Sequence, residues 1–273
     1  RAIMGRAKRM ERVVALTKIL VDHPQQLFSF SYFCKKFEVA KSTLSEDVVA
    51  VKNGLELFGL GKVETLAGAA GGVRFIPGHK AEDDNEFLKE LAVKLASPDR
   101  ILAGGMLYVT DILCDPQIVV RLGEVFMSRL QHLAPDYVMT VETRGISLAL
   151  LVARAFNVPL VMARHDNSII EGPSVNINYV SGSQKEIRNM SLAKRVMQPG
   201  SKVLIVDDVM KAGGTARGMM ELVAEVDATV VGKAFLIETA QPENKLVDDY
   251  TAFFRLYDVN EETRKITIEP ILG

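Results

Sequence analysis

One stretch constrains this chain more than any other: VLIVDDVMKAGGT, residues 203 to 215. Val203, Leu204, Ile205 and Val206 form an apolar run too short for a buried helix and rich in β-branched residues, so they predict a central strand. Asp207 and Asp208 stand at its carboxyl end, where ligands bind in open α/β sheets. Lys211 to Thr215 reads as a turn. Beyond it Met219, Leu222, Val223 and Val226 recur at i, i+3, i+4 and i+7, the apolar stripe of a helix. Strand, acidic pair, glycine turn and helix start make the layout of a phosphate site. Backbone N–H groups and a helix amino terminus can surround an anion there, and glycine permits the close approach.

The rest of the chain supplies a setting for that site. Its 273 residues allow one large domain or two modest ones. An apolar content of 48% supports a buried core, and no apolar run approaches the ~18 residues that span a bilayer. The amino terminus is basic and then amphipathic, without a cleavable signal pattern, and the residues before Met4 read as an expression leftover. Cys34 and Cys114 have no CxxC spacing, so neither a disulfide framework nor a zinc site is expected. Two ordinary thiols of a cytoplasmic protein without membrane partners are expected instead.

Charge divides the chain. Residues 1 to 80 hold 13 Lys and Arg against 7 Asp and Glu, a balance of +6, whereas residues 81 to 273 hold 20 against 27, or -7. A basic front joined to an acidic back predicts two domains, the first facing a polyanion. Uneven solvated charge would give the same totals, so the order of elements has to decide. A first helix is expected from about Met10 to Asp22, with Val13, Val14, Thr17, Leu20 and Val21 inward and His23-Pro24 ending it. A second covers about Ser31 to Phe37. A third turns Leu44, Val48, Val51 and Leu55 inward, and Thr43 with Glu46 has capping-box spacing at its start. Two short strands, Val63–Leu66 and Val73–Pro77, then flank a glycine-rich tip.

Three short helices and a hairpin are the order of a winged helix-turn-helix. In that motif the amino end of the recognition helix reaches base edges; here those residues are Lys41, Ser42, Thr43 and Ser45. Arg6, Lys8, Arg9 and Arg12, with Arg74 on the wing, are the expected phosphate contacts. The alternative is a small helical adaptor with solvated lysines. Agreement of charge, helix order and hairpin favours DNA.

From about residue 80 onward the pattern changes. A charged amphipathic helix follows Pro77-Gly78, and helical stripes then alternate with apolar runs at Tyr137–Val141, Leu160–Ala163, Val203–Val206 and Thr229–Ile237. This alternation predicts a mostly parallel sheet in an α/β domain spanning 81–273. GxxxxGK[ST] and GxGxxG are both absent, which excludes a P-loop and a dinucleotide fingerprint. A response-regulator receiver opens with a similar strand, but it needs most of ~120 further residues, and 65 follow Asp208.

Residues 203 to 215 closely resemble the 5-phosphoribosyl 1-pyrophosphate (PRPP) signature of type I phosphoribosyltransferases. The resemblance extends upstream to residues 136 to 164, similar to that family's strand, pyrophosphate loop, helix and strand, with Thr143-Arg144-Gly145 as the loop. It also takes in VNINYVSGSQKEIRN, where a flexible loop closes over the pyrophosphate in the family. The resemblance implies PRPP with Mg as ligand. Lys211, Ala212, Gly213, Gly214 and Thr215 would hold the 5-phosphate, Asp207 and Asp208 the ribose hydroxyls, and Thr143, Arg144 and Gly145 the pyrophosphate. Gly182, between two serines, marks a mobile flap over residues 179 to 189, from which Lys185 and Arg188 would reach the closed site.

Two departures bear on activity. Family enzymes usually carry threonine where Ala212 stands, and no nucleobase hood is recognisable in residues 249 to 270. Tyr250, Phe253, Phe254 and Tyr257 are expected to pack in the core or at a sheet edge. A winged helix joined to such a domain, with AKSTLSEDV in helix three and TLAGAAGGV in the wing, resembles the purine operon regulators of Gram-positive bacteria. That resemblance implies a homodimer on operator DNA upstream of purine genes, with PRPP as effector and no catalytic residues. Guanosine tetraphosphate is a further candidate for the pocket. The alternative is an active purine-base phosphoribosyltransferase with a fused DNA-binding domain.

Overall fold

The computed structural model describes residues 7–68, 71–165, 172–180 and 186–273. The chain divides near Lys80 into two compact units. The first contains α1 (Arg9–Asp22), α2 (Phe30–Phe37), α3 (Lys41–Leu57) and an antiparallel hairpin of β1 (Lys62–Leu66) and β2 (Gly72–Ile76). Leu44, Val48, Val51 and Leu55 of α3 are buried as their spacing requires, beside Phe33 and Phe37 of α2 and Val63, Val73 and Phe75 of the hairpin. Val73 also exchanges backbone hydrogen bonds with Phe28, each 2.9 Å, tying the segment before α2 to the hairpin.

Two local expectations are corrected here. The inward face of α1 is centred on Arg12, Leu16 and Leu20, and Val14 is 65% exposed. The face is turned because Arg12 enters the core on the carboxylate of Asp47, with Nε to Oδ2 at 2.7 Å. The third helix begins at Lys41, with Ala40 as its cap residue and no side-chain cap. Thr43 is therefore already inside the helix, so the proposed capping box with Glu46 does not form.

The second unit begins with α4 (Ala81–Leu95), a small pair β3 (Ile101–Leu102) and β4 (Met106–Leu107), and then α5 (Thr110–Cys114) and α6 (Pro116–Leu130). There follow β5 (Tyr137–Val141), α7 (Ile146–Phe156), β6 (Leu160–Ala163) and a hairpin of β7 (Ser174–Val180) and β8 (Ile187–Ala193). The chain ends with β9 (Lys202–Met210), α8 (Gly214–Glu225), β10 (Thr229–Thr239), β11 (Thr251–Asn260) and β12 (Lys265–Pro270). The main sheet has the order β12-β11-β10-β9-β5-β6. It is parallel throughout except for β12, which runs antiparallel to β11.

Burial explains the strand sequences. Val203 to Val206 are wholly inaccessible in β9, the unbroken apolar run of a strand covered on both faces. On one face Met219, Leu222 and Val223 of α8 pack with Ile205 and Phe235 and with Tyr179, Met190 and Leu192 of the β7–β8 hairpin. Gly218 of α8 makes that packing possible: a Cβ there would stand 3.1 Å from Ile177 Cδ1. Phe253 of β11 stacks on Phe126 of α6 at 3.8 Å between ring centroids.

Candidate functional site

The connections on either side of one strand pair run in opposite directions. From β5 the chain passes through α7 outward to β6, whereas from β9 it passes through α8 to β10 on the other side. Such a reversal opens a crevice beyond the carboxyl ends of β5 and β9, the ordinary ligand position in an open α/β sheet. A cavity of about 450 Å³ lies there. Thr143, Arg144, Asp207, Asp208, Arg188 and all five residues from Lys211 to Thr215 line it. Residues far apart in sequence are thus brought to one cavity.

The acidic pair sits deeper than a strand end. β9 runs on to Met210, so Asp207 and Asp208 are strand residues, 7% and 6% exposed. Each carboxylate is held by the backbone that follows it: Asp207 Oδ1 accepts the Asp208 N–H and Asp208 Oδ1 accepts the Val209 N–H, both at 2.9 Å. Burial, and then the charge of Asp208, push the Asp207 carboxyl well above the usual carboxylate range. Asp208 Oδ2 has no aligned hydrogen-bond donor; it faces the Arg144 guanidinium as an ion pair, with Nε at 2.9 Å.

The loop after β5 is pressed against this pair. A Cβ on Gly145 would collide with Asp207 Oδ1 and would stand 2.8 Å from the Thr140 hydroxyl, so no other residue fits. Gly145 lies behind the cavity wall, where it lets Thr143 and Arg144 border the cavity. On the other side the turn into α8 has Gly213 at φ +89°, a left-handed conformation suited to glycine. The Leu246 N–H bonds the Ala212 carbonyl at 2.8 Å and closes the turn from outside. The first N–H groups of a helix lack intrahelical partners, and the residues that open α8 border the cavity. Donors and partial positive charge are the natural complement of a phosphate.

Several lining residues escaped the sequence reading. Glu142, His165, Tyr179 and Phe235 also border the cavity. The His165 N–H is bonded to Glu142 Oε1 at 2.8 Å, and Tyr179 Oη lies 3.5 Å from His165 Nδ1. The usable signal was position, since Glu142 directly follows the carboxyl end of β5 and His165 stands two residues beyond that of β6. The flap expectation changes too. Tyr179 pairs with Arg188 and Asn178 with Asn189 in the hairpin, and Tyr179 is buried, so these residues form a packed stem. Lys185 and Gly182 lie outside the described residues. Phe253 and Phe254 are wholly buried, and Tyr250 packs edge-on against Phe235 while its hydroxyl donates to Glu238 Oε2 at 2.6 Å. Tyr257 is exposed at the irregularity in the β11–β12 register, its hydroxyl 3.1 Å from Glu269 Oε2. Tyr250, Phe253 and Phe254 pack as expected.

In the first unit Lys41 and Ser42 are exposed at the start of α3, and Thr43 and Ser45 are half-buried. Ser45 donates its hydroxyl to the Lys41 carbonyl at 2.9 Å. Lys8 and Arg9 are exposed at the start of α1. Arg74 is half-buried on β2 and paired with Glu64 Oε2 at 2.7 Å. Arg6 lies outside the described residues. Arg12 is a correction: it is 7% exposed and spent on Asp47, so its charge is not available to a phosphate. On α2 the Lys36 ammonium lies over the Tyr32 ring, 5.9 Å from its centroid.

Two known families match separate stretches of the chain. The family described as bacterial purine repressor, N-terminal, matches residues 8–77, and the phosphoribosyl transferase domain family matches residues 109–266. The chain is 45% identical over 262 residues to the purine biosynthesis transcriptional repressor PurR of Bacillus subtilis, covering 96% of this chain and 92% of that one. It is 40% identical over 262 residues to the purine biosynthesis transcriptional activator PurR of Lactococcus lactis subsp. lactis, covering 96% and 97%. The xanthine phosphoribosyltransferase of Geobacillus thermodenitrificans is 34% identical over 157 residues, covering 56% of this chain and 81% of that one. Among solved structures, adenine phosphoribosyltransferase from Saccharomyces cerevisiae shares the fold of the second unit, with a TM-score of 0.54 at 22% identity over 61% of this chain and 97% of that one.

Proposed function

The chain belongs to the PurR family of purine biosynthesis transcriptional regulators, and from that membership we propose that it binds operator DNA as a homodimer and senses PRPP in the second unit. The observation that carries the reading is the crevice at the reversal of strand order. It gathers an acidic pair, a glycine turn at a helix start and the Thr143–Gly145 loop around one cavity. PRPP carries a 5-phosphate, two free hydroxyls and a magnesium-bound pyrophosphate. The Lys211–Thr215 turn suits the first, the carboxyls of Asp207 and Asp208 suit the second, and the 143–145 loop with Arg188 and Lys185 suits the third. Ala212 offers no hydroxyl to the phosphate; Lys211 offers charge beside it. Guanosine tetraphosphate shares the pyrophosphate chemistry and is a competitor for the same cavity.

In this reading PRPP is an effector, not a substrate. Tyr250, Phe253 and Phe254 are committed to packing, and those rings are not free to stack a base. The likeness to a xanthine phosphoribosyltransferase supports the rival reading, an active enzyme. Calorimetry with PRPP and magnesium, run beside turnover of adenine, guanine, hypoxanthine and xanthine, separates the two. We expect PRPP binding and no nucleotide. Turnover at ordinary enzyme rates, about 1 per second or faster, would reverse the assignment.

The basic first unit sets a second expectation. Its affinity for DNA should fall steeply with salt, each neutralised phosphate adding about -0.9 to the log–log slope. Arg9→Ala or Arg74→Ala should weaken all sequences alike and flatten that slope. Lys41→Ala or Ser42→Ala should instead relax sequence preference, at roughly 1–3 kcal/mol per lost base contact. Equal losses on operator and random DNA in the α3 variants would remove α3 as the reader.

A further inference from the structure

Arg144 is long, charged and 55% exposed, yet its guanidinium is not left to solvent: Nε stands 2.9 Å from Asp208 Oδ2. The partner carboxyl is buried, and its other oxygen is already occupied by the Val209 N–H at 2.9 Å. The loop that carries Arg144 is held against the acidic pair, because Gly145 abuts Asp207 Oδ1 and the Thr140 hydroxyl with no room for a Cβ. The guanidinium therefore lies on the one oxygen of Asp208 that a sugar hydroxyl would use.

We infer that Arg144 is a specificity-determining residue that makes binding of the sugar conditional on a neighbouring pyrophosphate. The inference rests on the PRPP reading of the cavity and adds to it a discrimination against sugars with a single phosphate. A ligand whose hydroxyl takes Asp208 Oδ2 must separate it from Arg144. Guanidinium stays charged at any ordinary pH, so the displaced group needs a new anionic partner. A pyrophosphate on the adjacent carbon supplies one, and its oxygens match the planar fork of the guanidinium. Ribose 5-phosphate supplies none there, since its phosphate sits across the cavity on the Lys211–Thr215 turn. Removing a partner from a buried carboxylate is costly, and the monophosphate bears that cost uncompensated.

Calorimetric titration of the full chain with PRPP and with ribose 5-phosphate, each with magnesium, tests this in wild type, Arg144→Ala and Arg144→Lys. For Arg144→Ala, PRPP affinity should fall about tenfold or more, the worth of one charge-assisted contact. Ribose 5-phosphate affinity should rise, because no guanidinium then has to leave Asp208, so the preference between the two collapses, and Arg144→Lys should recover part of it. Parallel losses for both ligands, or an unchanged ratio, would overturn the inference and leave the PRPP reading standing. A wild-type chain that takes up no PRPP would remove both. A melting temperature measured alongside identifies a variant that fails to fold, and Arg144→Gln then replaces it in the same comparison.

Discussion

Replacing Asp207 and Asp208 together by alanine is expected to lower PRPP affinity at least ~100-fold and to leave operator affinity unchanged. Each carboxyl has one oxygen bound to the following backbone N–H, which leaves the other for ligand, directly in Asp207 and on displacement of Arg144 in Asp208. Two hydroxyl-to-carboxylate bonds at about 1.5–3 kcal/mol each, with a factor of ten per 1.4 kcal/mol, give that magnitude. The alanines also strip two buried N–H groups of their acceptors, which would cost stability by itself. Asp207→Asn with Asp208→Asn keeps an oxygen for each of those N–H groups and turns the ligand-facing oxygen into an NH2 donor, so it should lose the ligand while melting near the wild-type temperature. Calorimetry on both double variants decides it. Undiminished PRPP affinity in either one would show that the pair does not hold the sugar.

The second large effect is expected in the first unit. Arg12→Ala or Asp47→Ala should destabilise the first unit by about 3–5 kcal/mol, because the first leaves buried Asp47 with only the exposed Arg9, Nε to Oδ1 at 3.7 Å, and the second leaves the buried Arg12 charge without its carboxylate. Arg12 Nε and Nη2 reach Asp47 Oδ2 and Oδ1 at 2.7 and 3.3 Å, and Asp47 is 1% exposed. Native domains are stable by roughly 5–15 kcal/mol in total, so either change should move the unit's denaturant midpoint visibly. Arg12→Met combined with Asp47→Leu should recover most of the loss, since well-packed apolar residues can replace a buried pair. If Arg12→Ala instead unfolds like wild type and flattens the salt dependence of DNA binding, the residue contacts phosphate. Its place in a basic run pointed that way.

Arg12 shows how far a sequence reaches. A run of Arg6, Lys8, Arg9 and Arg12 looks like one phosphate-facing cluster, because charge is counted locally. Its acceptor, Asp47, is 35 residues away on α3, and neither residue's spacing announces the other. Likewise Thr43 and Glu46 have the spacing of a capping box, but the helix starts at Lys41 and leaves that spacing in its interior. β11 and β12 went unlisted because charged residues break up or bound their apolar positions, Arg255 and Asp258 in β11 and Lys265 and Glu269 in β12. Phe253 and Phe254 are buried there while Arg255 is spent on Glu238 at 2.7 Å.

The sequence by itself determined what depends on neighbours along the chain. Those features are the apolar strand that carries the acidic pair, the glycine turn, the stripe of α8, the inward face of α3 and the hairpin behind it. Period, turn chemistry and propensity act over a few residues, so they can be read without coordinates. Only the tertiary structure decided which ends meet. The order of strands sets β5 beside β9 and so opens a crevice between loops some sixty residues apart in sequence. It also sets Arg144 on Asp208 and leaves no room for a side chain at Gly145. Those contacts are made by packing across the sheet, and no local pattern encodes a distance through space.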